Sequence, residues 1–109
     1  MSRTRILVVT AVAAERDAVL AAVTGVTGAV PEAAASGARP PVLVPGARVV
    51  AVAGGVGWAA GVAAAAELAE AQAAGVPFDA VICAGIAGGF GGRACLGELV
   101  VADRVVAAD

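Results

Sequence analysis

Two features of the sequence could support chemistry: a carboxylate, Glu15, and a glycine-rich stretch from Asp79 to Gly92 that reads DAVICAGIAGGFGG. Within the stretch, Val81 to Cys83 is typical of a short buried strand, because the run is brief, β-branched and ends before Gly85. Glycines after such a strand leave main-chain N–H groups open to a ligand. Small molecules bind at this end of strands in open α/β sheets. The stretch therefore predicts a binding loop, although turns and tight packing explain glycines equally well.

The composition excludes several kinds of chemistry. The chain has 109 residues and no histidine, so Ser-His and Cys-His catalysis and a His-containing metal site are excluded within it. Catalysis must use carboxylates or main-chain groups. The net charge is −2 and the seven basic residues are scattered, which argues against a nucleic-acid surface. Neither a metal nor a cofactor is expected.

The two cysteines, Cys83 and Cys95, indicate a reducing compartment. They are too few for a disulfide framework and lack the CxxC spacing of redox and zinc sites. We expect two reduced, buried thiols in a cytoplasmic protein.

The N-terminal segment allows two interpretations. Arginines followed by the apolar run from Ile6 to Ala14 resemble a secretory signal. Consecutive β-branched residues from Ile6 to Val9 instead favour a first buried strand, and no clear cleavage region follows. We adopt the strand. A helix is predicted from Ala13 to about Val23, with Glu15 in its first turn, where the helix dipole favours a carboxylate.

The middle of the chain is predicted to contain a loop, two strands and a helix. Glycine and proline make Thr24 to Pro45 a loop, with a short strand at Val42–Val44. A strand at Arg48–Ala53, a glycine turn and a helix at Ala59–Ala74 follow. The uncharged run from Val49 to Ala66 has nearly the length of a membrane span, but alanine and glycine dominate it, which favours strand-turn-helix.

A last strand is predicted at Leu99–Val106. Strands alternating with helices indicate an α/β fold with a largely parallel sheet. A sheet covered by helices on both faces usually needs a longer chain than this one, so we expect the sequence to be part of a larger domain.

Four segments carry a family resemblance: ILVVTAVAAERDAV, AGGVGWAAGVAAA, VICAGIAGGF and LGELVVADRVVAAD. Together they resemble the N-terminal half of the nucleoside phosphorylase and nucleosidase superfamily, and most closely the futalosine hydrolases of menaquinone biosynthesis. The resemblance implies a three-layer α/β/α fold of the nucleoside phosphorylase type, with residues 1–109 as its N-terminal part. It also implies hydrolysis of the N-glycosidic bond of futalosine, releasing hypoxanthine, and a homo-oligomer when complete, with no membrane partner.

The resemblance assigns roles to individual positions. Glu15 falls where the nucleosidases have a glutamate that orients the attacking water. Val12 corresponds to a residue at the ribose end, and Val56 lies in the turn that closes over the sugar. The loop main chain that contacts the base corresponds to Ala87 and Gly88, and the preceding Gly85 and Ile86 are expected to bind substrate as well. Without the resemblance, Glu15 is interpreted as an exposed carboxylate that suits the helix dipole.

Two departures from the family pattern affect the assignment. Ile86 stands where methylthioadenosine nucleosidases carry a serine, which indicates a different substrate. The family's ribose-binding Met-Glu pair and its base-protonating aspartate belong to a C-terminal half that this sequence does not contain. The alternatives are a 5′-methylthioadenosine/S-adenosylhomocysteine nucleosidase, a purine nucleoside phosphorylase, and a non-catalytic fragment.

Overall fold

The computed structural model describes residues 4–27, 42–44 and 46–107. These residues form a small α/β domain in which strands and helices largely alternate. The elements are β1 (Thr4–Thr10), α1 (Ala13–Thr27), β2 (Val42–Val44), β3 (Ala47–Ala53), α2 (Trp58–Ala73) and β4 (Ala80–Cys83). Most of the loop predicted between Thr24 and Pro45 lies outside the described residues.

The strands form one sheet in the order β2-β3-β1-β4. The central strand β1 pairs in parallel with β3 on one side and with β4 on the other, and β2 runs antiparallel to β3. Three parallel strands therefore lie side by side, and their carboxyl ends reach the same edge of the sheet. This arrangement confirms the predicted α/β class.

Strand β1 forms the centre of the core because its apolar residues are buried on both faces of the sheet. Val8 belongs to a cluster with Val49, Ala51 and Leu20 of α1. Successive side chains of a strand point to opposite faces, and Leu7, on the other face, is fully buried. The continuous apolar run in the sequence thus forms a strand that is buried on both faces of the sheet, as predicted.

Helix α2 packs loosely by comparison with α1. Its alanine-rich sequence gives high helix propensity, and Gly57, at φ 58°, precedes its first residue in a conformation that favours glycine. Ala71 is its only buried residue among those described. Alanine side chains offer little apolar area for packing, so propensity rather than burial accounts for this helix.

The prediction of a strand at Leu99–Val106 is wrong. Residues 99–107 form no strand, and their large apolar side chains are exposed. An apolar alternating sequence becomes a strand only where a neighbouring strand accepts its hydrogen bonds, and no described segment pairs with the outer edge of β4.

The prediction of two buried thiols is also wrong. Cys83 and Cys95 are both free and exposed. Cys83 ends the edge strand β4, whose four residues are all exposed, and Cys95 lies in the segment that follows without forming a strand. An apolar run with a β-branched sequence indicates a strand, but burial depends on what covers it.

Candidate functional site

The carboxyl ends of the three parallel strands are joined to one another by main-chain hydrogen bonds. The Ala84 N–H, just after β4, donates to the Val9 carbonyl of β1 at 3.0 Å. The Gly54 N–H, just after β3, donates to the Thr10 carbonyl at 2.8 Å, and the next amide continues the pattern. These bonds fix the loops that follow β1, β3 and β4 relative to one another.

A cavity of about 360 Å³ opens between these loops. It is lined by the end of β1, the first turn of α1, the glycine turn before α2 and the segment after β4. Four of the predicted site residues line it: Glu15, Val56, Gly85 and Ile86. This is the edge of the sheet where the sequence predicted a binding loop.

The other predicted site residues lie around the cavity rather than in its wall. Val12 presents its backbone N–H to Glu15, and its side chain is half exposed. Ala87 and Gly88 are exposed and are not among the residues that line the cavity. Their predicted contact with a base stays a prediction.

Glu15 joins the two sides of the cavity through its carboxylate. Its Oε1 accepts the backbone N–H groups of Ala11 at 3.1 Å and Val12 at 3.2 Å. Its Oε2 accepts the backbone N–H of Ile86 at 2.7 Å, a contact across 71 positions of sequence. The carboxylate therefore connects the start of α1 with the segment after β4.

Helix capping accounts for the hydrogen bonds of only one of the two carboxylate oxygens. Glu15 is the third residue of α1, and a glutamate there commonly accepts the N–H of the residue before the helix, which explains the contacts of Oε1. Helix capping does not explain the bond from Ile86 to Oε2. The interpretation of Glu15 as an exposed carboxylate that merely suits the helix dipole is therefore insufficient.

The N–H donors keep Glu15 ionised. The hydrogen bond from Ile86, followed by that from Val12, lowers the pKa of the Glu15 carboxyl below its ordinary value, and partial burial opposes this without cancelling it. A carboxylate has about four acceptor positions, two on each oxygen. Oε1 accepts two N–H groups and Oε2 accepts one. Among the bonds made by the described residues, one acceptor position therefore remains, on Oε2.

Thr10 is a site residue that the sequence analysis missed. It is a buried polar residue that lines the cavity, and its hydroxyl lies 3.0 Å from the Val52 carbonyl oxygen and 3.3 Å from that of Val12. These contacts hold the end of β1 against β3 and the start of α1. The signal was available, because Thr10 is the one hydroxyl residue between the apolar run of β1 and the helix.

The described residues provide few ionisable groups for further chemistry. Glu15 and Cys83 are the ionisable side chains of the cavity wall as described. Within the described ranges, no group of three or more His, Cys, Asp or Glu side chains is placed to hold a metal ion. Chemistry at this site therefore has to be built around one carboxylate and several main-chain N–H groups.

Comparisons of the chain with protein-family models, curated proteins and solved structures find no match. Assignment of a function therefore depends on the residues of the cavity and on the family resemblance of the sequence. Among the helices of the described part of the chain, none has the length and apolar character needed to cross a bilayer.

Proposed function

We propose that the chain supplies the water-orienting half of an N-glycosidase site of the futalosine hydrolase type, on a three-layer fold of the nucleoside phosphorylase kind. The resemblance of four sequence segments suggests the substrate class. One structural observation carries the proposal: the Glu15 carboxyl group lies in the cavity at the carboxyl edge of the sheet and accepts three backbone N–H groups, which leaves one acceptor position on Oε2 among the described residues.

The chemistry of N-glycoside hydrolysis suits this carboxylate. The bond between the sugar C1′ and the base nitrogen breaks with its electron pair passing to the base, and positive charge develops on the sugar. A water oxygen then bonds to C1′ and releases a proton. The remaining acceptor position on Glu15 Oε2 orients that water, and the negative charge stabilises the cationic sugar.

The depressed pKa defines the role of Glu15 further. A carboxyl whose pKa lies below its ordinary value is ionised at neutral pH but is a poor proton acceptor. Its contribution is therefore orientation and electrostatic stabilisation, with proton uptake only after the water has begun to bond. Val56 also lines the cavity, in the turn that the resemblance places over the sugar.

The leaving base also needs an acid, and the sugar needs a clamp. Neither is present in the described cavity wall, where the ionisable side chains are a carboxylate held ionised and a thiol. The resemblance assigns both functions to the C-terminal half of the family fold. A positioned acid contributes about 10²–10⁴-fold, so the 109-residue chain by itself is expected to show only background hydrolysis.

The test follows hypoxanthine release from futalosine by chromatography. The chain is incubated with futalosine alone and after co-expression with the C-terminal half of a futalosine hydrolase, each against a no-protein control. Multiple turnover is expected only for the combination, and Glu15→Gln should lower it by about 10²-fold or more. Glu70→Gln is the matched control, because it makes the same change on an exposed position of α2.

Four results would count against the proposal. Undiminished turnover in Glu15→Gln would remove Glu15 from the mechanism, and clear turnover by the chain alone would show that its site is complete. Release of base from methylthioadenosine, or from inosine only with phosphate, would favour the alternative enzymes. If the halves do not assemble, hypoxanthine is titrated into the ¹⁵N-labelled chain, and unchanged Gly85 and Ile86 amide signals would contradict binding in this cavity.

A further inference from the structure

A side chain at Gly85 would collide with the Glu15 carboxylate. A Cβ placed on Gly85 would lie 2.7 Å from Glu15 Oε2, closer than Cβ atoms approach other atoms in folded proteins. Ile86, the next residue, donates its N–H to that same oxygen at 2.7 Å. The same oxygen, Oε2, therefore occupies the space next to Gly85 and accepts the hydrogen bond from Ile86.

The backbone at Gly85 does not itself require glycine. Several glycines of the chain have positive φ, but Gly85 is not among them. The left-handed backbone conformation that favours glycine is therefore not the reason for glycine at this position. The remaining reason for glycine at this position is the space that the carboxylate occupies.

We propose that Gly85 is a positioning residue for Glu15. Its missing side chain lets the carboxylate sit against the main chain after β4, with Oε2 on the Ile86 N–H and its last acceptor position available to a ligand. The family resemblance implied that Gly85 binds substrate; the structure adds its contact with the carboxylate. The positioning role in hydrolysis rests on the proposed function, but the placement of the carboxylate does not.

The variant Gly85→Ala should separate positioning from folding. The atom that a new Cβ meets first is the end of a flexible side chain, so the carboxylate can move aside while the backbone stays in place. Movement of Oε2 breaks the hydrogen bond from Ile86, which is the largest cause of the depressed Glu15 pKa. The Glu15 pKa should therefore rise towards its ordinary value.

The experiment measures the Glu15 side-chain carboxyl by ¹³C NMR over a pH titration of the 109-residue chain. In the parent protein the Ile86 amide signal should titrate together with this carboxyl. In Gly85→Ala the carboxyl midpoint should rise, and the Ile86 amide should no longer follow it. Gly91→Ala is the matched control, since a Cβ there meets no atom within 4 Å and its φ is not positive.

Kinetics and titration together distinguish failure of the proposed function from failure of the positioning role of Gly85. In the assembled enzyme, Gly85→Ala should lower kcat by up to about 10²-fold, as small displacements of catalytic groups do. If no assembly hydrolyses a nucleoside but the titrations differ as expected, the proposed function fails and the placement of Glu15 by Gly85 stands. An unchanged Glu15 midpoint and Ile86 response in folded Gly85→Ala would overturn the inference. If Gly85→Ala unfolds while Gly85→Ser remains folded, the serine variant is titrated instead, with the same criterion.

Discussion

Strands β1 and β4 are neighbours in one sheet and have similar apolar sequences, yet their surroundings differ completely. In β1, Leu7 is 0% and Val9 is 2% exposed, whereas Val81 and Ile82 of β4 are each 47% exposed. The two strands pair residue by residue over β4, so hydrogen bonding does not explain the difference. The covering elements do: β1 lies between two strands and packs against α1, whereas no strand of the described residues pairs with the outer edge of β4. We call β1, β3 and α1 the covered half of the domain, and α2, β4 and the segment after β4 the open half.

The helices divide in the same way. Leu20 of α1 is buried in the core cluster, while Trp58 at the start of α2 is 93% exposed. The cavity lies where the two halves meet, because α1 provides Glu15 and the segment after β4 provides its partner Ile86. Stability and chemistry are therefore expected to depend on different residues, and each prediction below tests that separation.

The largest expected effect is the loss of a buried side chain in the covered half. Leu7→Ala should lower the free energy of unfolding by about 2–5 kcal/mol, because it leaves a cavity beside a fully buried position. Ile82→Ala in the open half should cost about 1 kcal/mol, since roughly half of that side chain is already in water. Urea denaturation followed by circular dichroism measures both, and equal losses would contradict the division.

The next effect concerns the turn that connects the halves. A Cβ on Gly54 would lie 2.8 Å from Ala63 Cβ and 3.2 Å from Ala60 Cα, atoms that cannot move without shifting α2. Gly54→Ala should therefore destabilise by about 1–3 kcal/mol. Gly61→Ala, in α2 with nothing within 4 Å of the new Cβ, should stabilise by about 0.5–1 kcal/mol. Thermal unfolding measures both shifts, and a stable Gly54→Ala would show that α2 is not fixed to the turn.

The sequence predicted the covered half well because local pattern and burial agree there. The apolar runs around Leu7 and before Ala53 are signals that neighbouring residues carry, and the structure has strands there, β1 and β3, within two residues of the predicted bounds. The family resemblance implied that Glu15 and Gly85 belong to one site, and both line the cavity.

In the open half the same signals indicated strand β4 and helix α2, but not the exposure of β4 or the absence of a strand at residues 99–107. The pattern from Leu99 to Val106 is as apolar as that of β1, but a strand needs a partner, and the pattern does not say whether one exists. The exposure of Cys83 has the same origin. Within the site, the bond from Ile86 to Glu15 joins residues 71 positions apart and depends on the loop conformation, which no local sequence signal specifies.

The smallest expected effect on stability comes from the carboxylate that joins the halves. The N–H groups of Ile86, Val12 and Ala11 lower the pKa of Glu15 in the folded state, so the folded protein binds fewer protons than the unfolded chain as the solution becomes acidic. The stabilisation is complete above the ordinary glutamate pKa of about 4.3 and is lost as the pH falls through the lower folded-state value. Glu15→Gln should remove this acid-side loss, and Glu70→Gln, which also deletes one negative charge, should retain it. Urea midpoints measured from pH 7 down into the acid range provide the comparison, and parallel curves for the parent and Glu15→Gln would show that the carboxylate does not join the halves in solution.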